Sequence, residues 1–136
     1  MQWSEIQGSY PFFWMWLNAW LKSKGADDIS VLNDCNSQYV KVRFSVPQKV
    51  RELSDDMLHE MLEEAGIRVV VDFNSEDLVS AWRYVLYKNG LNGLWTQTYT
   101  STYIFKKRGS ANGRGLMHAM SQQDKSLKKQ NAVEQY

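Results

Sequence analysis

Ile67-Arg68-Val69-Val70-Val71-Asp72-Phe73-Asn74-Ser75-Glu76-Asp77-Leu78-Val79-Ser80-Ala81-Trp82-Arg83-Tyr84-Val85-Leu86-Tyr87-Lys88 is the stretch that carries the topology. Ile67, Val69, Val71 and Phe73 alternate on one side, with Val70 between Arg68 and Asp72 on the other. That density of β-branched residues predicts a strand at the centre of a sheet. From Asn74 the pattern changes. Phe73 and Leu78 are spaced to staple a helix start, and Leu78, Val79, Trp82, Val85 and Leu86 share one helical stripe, which predicts a helix to about Lys88.

Upstream, Val40, Val42, Phe44 and Val46 alternate with Tyr39, Lys41, Arg43 and Ser45, the period of a half-buried strand that Pro47 ends. Ile29 to Leu32 reads as its antiparallel partner across the turn-forming Asn33 to Ser37. Between hairpin and central strand lies a helix with Ser54 as cap and Asp55 and Asp56 in its first turn. Leu53 and Leu58 are placed to staple it, Met57, Leu58, Met61, Leu62 and Ala65 form its stripe, and Gly66 ends it.

Downstream, Asn89-Gly90 and Asn92-Gly93 reverse the chain. Trp95 to about Lys107 then reads as a long edge strand, with Trp95, Tyr99, Tyr103 and Phe105 on one face and Thr96, Thr98, Thr100 and Thr102 on the other. Strand–helix–strand connections from Tyr39 to Phe73 and from Ile67 to Phe105 are right-handed if their strands are parallel. Gly109 to Gly115 has linker composition, and the apolar residues beyond it are too few to order a helix alone. No internal repeat is evident. The expected fold is α+β, a two-layer sandwich of order αββαβαβ with a four-stranded mixed sheet and helices on one face. Residues 1–108 form its single domain and residues 109–136 a basic tail, flexible or ordered by a partner.

The succession of helix, hairpin, helical segments and a final strand opening at Gly93-Leu94-Trp95 resembles the tail-terminator proteins of long-tailed bacteriophages, which assemble as rings. The likeness lies in element order and transfers no residue roles; the helix between Ser54 and Ala65 departs from it. Tryptophan- and asparagine-rich composition suits a virus or mobile-element protein, which would place the chain in a host cytoplasm or a virion.

Chemistry is sparse. A single cysteine among 136 residues leaves no internal disulfide and no thiolate zinc cluster, and argues for a cytoplasmic setting. Cys35 lies in a turn and His59 on a helix, with nothing to bring them together as a nucleophile and base. His59-Glu60 does not open an H-E-x-x-H pair, and Gly109 to Gly115 lacks phosphate-loop spacing. The acids from Asp55 to Glu64 fit a solvated helix face. No cofactor, metal or catalytic residue is assigned, although an active site of scattered residues leaves no sequence trace.

What remains points to contact. Tyr10 to Leu21 holds three of the six tryptophans and no charge, and Pro11 suits the first helical position. Its apolar surface runs nearly all round, more than a small domain covers. Phe13, Trp14, Trp16 and Trp20 are therefore the expected anchors for a protein partner or another copy of the chain, with the threonine-faced edge as a second contact. A membrane is not the expected partner, since a span needs about 20 apolar residues and this run holds twelve.

The alternative partner is nucleic acid. Net charge is +1, but residues 1–104 carry nine Lys/Arg against thirteen Asp/Glu, and residues 105–136 seven against two. Lys106, Lys107, Arg108, Arg114, Lys128 and Lys129 could neutralise phosphates, with Tyr39, Lys41, Arg43 and Arg68 as a sheet platform. A tryptophan-sized anchor is worth about 2–3 kcal/mol by burial, so a few outweigh the basic tail at physiological salt and rank the protein contact first.

Overall fold

The structure, a computed structural model, describes residues 2–45, 48–73, 81–102 and 104–134. Its elements are α1 (Trp3–Ser9), α2 (Pro11–Ser23), β1 (Ala26–Asp34), β2 (Ser37–Ser45), β3 (Gln48–Glu52), α3 (Asp55–Glu64), β4 (Ile67–Phe73), β5 (Trp82–Asn89), β6 (Trp95–Thr100) and α4 (Arg108–Glu134). The class is α+β as expected. The sheet is not: in place of one four-stranded mixed sheet there are two three-stranded antiparallel sheets, of order β1-β2-β3 and β4-β5-β6. The chain divides into two compact units, Met1–Met57 with Ser121–Tyr136, and Leu58–Met120.

In the first unit, Phe13, Leu17 and Leu21 recur every fourth residue along α2 and are completely buried, as are Val40 and Val42 of β2. The hairpin is the expected one, with Val31 opposite Val40 and Ile29 opposite Val42. Cys35 takes a positive φ of 52° in its turn, and the Ser37 hydroxyl donates to the Asp34 carbonyl at 3.0 Å. The short β3 then pairs on the far side of β2. The expected strand end at Val46-Pro47 lies outside the described residues.

In the second unit, the main correction concerns residues 74–88. The helix expected there is absent from its describable part, because Trp82–Asn89 is strand β5, paired antiparallel with β4 from Phe73↔Trp82 to Ile67↔Lys88. The proposed start at Asn74 and the Phe73–Leu78 staple lie outside the described residues. Consecutive Tyr84, Val85 and Leu86 are all buried in this middle strand, so the two-residue alternation that marks a half-exposed strand is missing. Without it, the chance helical spacing dominated the pattern. Neither expected parallel crossover is found: β2 and β4 lie in different sheets, and β4, β5 and β6 are antiparallel neighbours.

The last strand is shorter than expected. β6 lies at an edge of its sheet, with a register shift opposite Leu86/Tyr87, and the chain then returns to bridge Trp82 through Phe105. Tyr103 of the expected aromatic face lies outside the described residues. Linker composition at Gly109 to Gly115 is also overruled. Arg108–Glu134 is one helix, with Ala111, Leu116, Ala119 and Met120 buried. The element order behind the likeness to tail-terminator proteins is not the one found.

Each unit repeats one succession: a helix, a glycine, then three antiparallel strands. Gly25 (φ +99°) ends α2 and Gly66 (φ +86°) ends α3, in a left-handed conformation costly for other residues. The glycine carbonyl accepts from the end of the second strand in both cases, from Ser45 N at 3.2 Å and from Asn89 N at 2.9 Å. Among the described residues, no helix is long and apolar enough to cross a membrane.

Candidate functional site: the outer face of α2 and the Tyr84 cluster

With Phe13, Leu17 and Leu21 turned inward, helical geometry leaves Met15, Ala19 and Lys22 exposed on the opposite stripe of α2. Phe13, expected as a partner anchor, is core. Trp14, Trp16 and Trp20 are each half-buried. Trp14 packs against Trp3 with ring centroids 6.2 Å apart, and Trp16 against Phe13 at 5.9 Å. The Lys24 ammonium lies 5.2 Å from the Trp20 ring centre. The residue that sequence reasoning missed is Met15, 68% exposed at the middle of the helix. It forms a wall of two hollows, one of about 330 Å³ shared with Phe12, Trp16 and Leu127, the other of about 390 Å³ shared with Trp14, Ala19 and Lys22. An unbroken apolar run marks the helix but not which residue its core stripe leaves outside.

The start of α2 has no local side-chain cap and no acid in its first turn. Asp124 of α4 serves instead: its Oδ1 accepts from the Phe12 N–H at 2.9 Å and the Phe13 N–H at 3.0 Å. This carboxylate is nearly buried, at 8% exposure. It meets two of the orphan donors and the positive end of the helix dipole together.

The residues expected for nucleic acid are divided. Tyr39, Lys41 and Arg43 lie on β2 of the first unit, and Lys41 faces Glu52 across the ladder. Arg43 donates to Asp27 at 2.9 Å, a bond that raises its pKa. Arg68 belongs to the second unit, where it pairs with Glu63 at 3.2 Å and stacks on Trp95 at 4.1 Å. Lys128 and Lys129 are exposed on the part of α4 in the first unit; Lys106, Lys107, Arg108 and Arg114 are exposed in the second. Among the described residues, none of these six cations makes an ion pair.

A group that the sequence did not suggest surrounds Tyr84 in the second unit. The Tyr84 hydroxyl lies 3.1 Å from His118 Nδ1, and its ring stacks on Tyr99 at 5.6 Å and leans on Phe105 at 6.0 Å. His118 also meets Tyr99 edge-on at 4.3 Å. Burial raises the Tyr84 pKa, the neighbouring Tyr99 adds to the rise, and the Arg114 charge opposes it. The Ser101 hydroxyl accepts from the Tyr84 N–H at 2.9 Å and fixes the strand beneath.

His59 is bonded to Asn112 through Nε2 at 2.8 Å, and Cys35 is exposed in the first unit's hairpin. No group of three potential metal ligands occurs among the described residues. A hollow of about 660 Å³ in the second unit has Glu64, Lys88, Thr96 and Thr98 on its walls, with no histidine or cysteine. The chain matches no protein-family model, no curated protein and no solved structure.

Proposed function

We propose that this protein is a non-enzymatic interaction module that docks through the outer face of α2, with another copy of the chain as its first partner. Met15 supports this reading most directly. It is a large, unbranched, adaptable side chain standing in water between two hollows, so one copy offers both a knob and a place to receive one. Half-buried tryptophans beside it are already held by Trp3 and Phe13, so little side-chain entropy is lost on contact. Among the described residues, the one charge on the walls of either hollow is Lys22, at the end of the helix. Strand β6 is a secondary contact, with Thr96 and Thr98 exposed at a sheet edge.

Sedimentation velocity tests this. The wild type should associate as concentration rises, and Met15→Lys should raise the dissociation constant at least tenfold, since a buried methionine is worth about 1.5–3 kcal/mol. The variant should keep the wild-type circular dichroism spectrum, because Met15 lies outside the core. A wild type that stays monomeric throughout would overturn the self-association reading.

A further inference from the structure

The Tyr84 cluster lies in a sequence of one electrostatic sign. The 46 residues from Leu78 to Gln123 contain no Asp or Glu and six Lys or Arg. Arg83 is consumed by Asp72, at 2.8 Å, and Lys88 shares a hollow with Glu64. Lys106, Lys107, Arg108 and Arg114 are left as exposed cations, and the unit's described carboxylates, Glu60, Glu63, Glu64 and Asp72, fall outside this stretch of sequence. Such a field attracts anions, but a field alone selects none.

Selection comes from Tyr99. Tyr99 is 41% exposed on the edge strand β6, yet it is not loose. Tyr84 stacks on it at an interplanar angle of 25°, and His118 presses on it edge-on. A tyrosine held by two neighbours and still partly exposed is pre-ordered for stacking, because ordering it on binding costs little. Arg114 lies one helical turn before His118, so the two side chains project from the same side of α4. The Tyr84–Phe105 contact brings in the segment that continues into Lys106, Lys107 and Arg108.

We propose that this surface binds single-stranded nucleic acid, with an unpaired base stacked on Tyr99 and its phosphodiester held by Arg114 beside His118. Lys106, Lys107 and Arg108 continue the cationic path for neighbouring phosphates. An aromatic face flanked by cations suits an unstacked base, whereas a duplex presents its bases only by their edges. The site is built from residues of the second unit alone and does not rest on self-association through α2, so the two stand or fall by different substitutions.

The test is fluorescence anisotropy of the full chain with a fluorescein-labelled oligo(dT), across a salt series. Tyr99→Ala should weaken binding about tenfold and Tyr99→Phe hardly at all, since stacking and not the hydroxyl carries the contact. Arg114→Gln should weaken binding and reduce the salt slope by about one. Arg114 is exposed, so Arg114→Gln should fold and tests the site even if loss of the Tyr99 ring disturbs its neighbours Tyr84 and His118. The proposal is overturned if oligo(dT) does not bind or if Tyr99→Ala binds as the wild type. It is equally overturned if a duplex binds as tightly with the same dependence on Tyr99. Polyglutamate or inorganic polyphosphate displacing the probe as well as unlabelled oligo(dT) would mean bare polyanion attraction, or an acidic protein as the natural partner.

Discussion

Asp124 does in one side chain what a capping residue ordinarily does from within its own helix. The Phe13 amide that it serves is 111 residues away in the chain, and that bond is buried. Removing the carboxylate would strand two donors where water cannot readily replace it. Asp124→Ala should therefore cost about 2–3 kcal/mol in urea unfolding, within the range for hydrogen bonds to a charged group. Asp124→Asn keeps an acceptor of similar shape but loses the charge facing the helix dipole, and should cost about half as much. Equal stability of Asp124→Ala and the wild type would show that the pairing contributes nothing. Local capping rules are blind to such a partner. The sequence carried one unread signal: Asp124 is one of two acids among the last 32 residues, which hold seven Lys/Arg, and an isolated acid in a basic helix asks for a specific partner.

Helix α4 shows why composition misled at the scale of an element. Its glycines at 109, 113 and 115 read as a linker, yet Gly115 differs from the other two in its surroundings. A Cβ at Gly115 would fall 2.7 Å from Val69 Cγ1 and 3.1 Å from Tyr84 Cβ, so glycine is what lets the helix lie against the sheet. At Gly109 and Gly113 a Cβ would meet nothing within 4 Å. Alanine should therefore act oppositely at neighbouring positions. Gly113→Ala should stabilise by about 0.5–1 kcal/mol through helix propensity. Gly115→Ala should destabilise by about 1–2 kcal/mol, because Val69 is a stiff β-branched residue in a sheet and cannot yield cheaply. Thermal unfolding of the two variants measures the difference, and a shift of the same sign in both would refute the close-approach account. Strand β5 was lost for a related reason: burial of Tyr84, Val85 and Leu86 erased the alternation by which strands are recognised. Elements with one wet face, namely β1, β2, β4 and α3, were legible as elements, although β4, expected at the centre of a sheet, lies at the edge of its own. Those shaped by tertiary packing were not, and so neither was the Tyr84 cluster, which needs β5, β6 and α4 together.

Across the whole molecule, the repeated helix–glycine–three-strand unit leaves only a thin trace. Leu17, Leu21 and Gly25 recur as Leu58, Leu62 and Gly66, with the same four-residue steps, while the strands that follow share polarity more than identity. The C-terminal half of α4 completes the first unit and its N-terminal half completes the second, so truncation should not act evenly. A chain ending at Met120 keeps Gly115, Leu116 and His118 for the second unit but deprives the first of Asp124 and of Leu127, which lines a hollow with Phe12 and Trp16. Hydrogen exchange should resolve the consequence, because amides report the opening of their own cooperative unit. The amides of Val40 and Val42 should exchange about a hundredfold faster than in the full chain, the effect expected for a loss of ~2.7 kcal/mol. Those of Val85 and Leu86 should change by much less. Uniform acceleration in both groups would mean that the two cores open together, and that α4 couples their stability instead of serving each in turn.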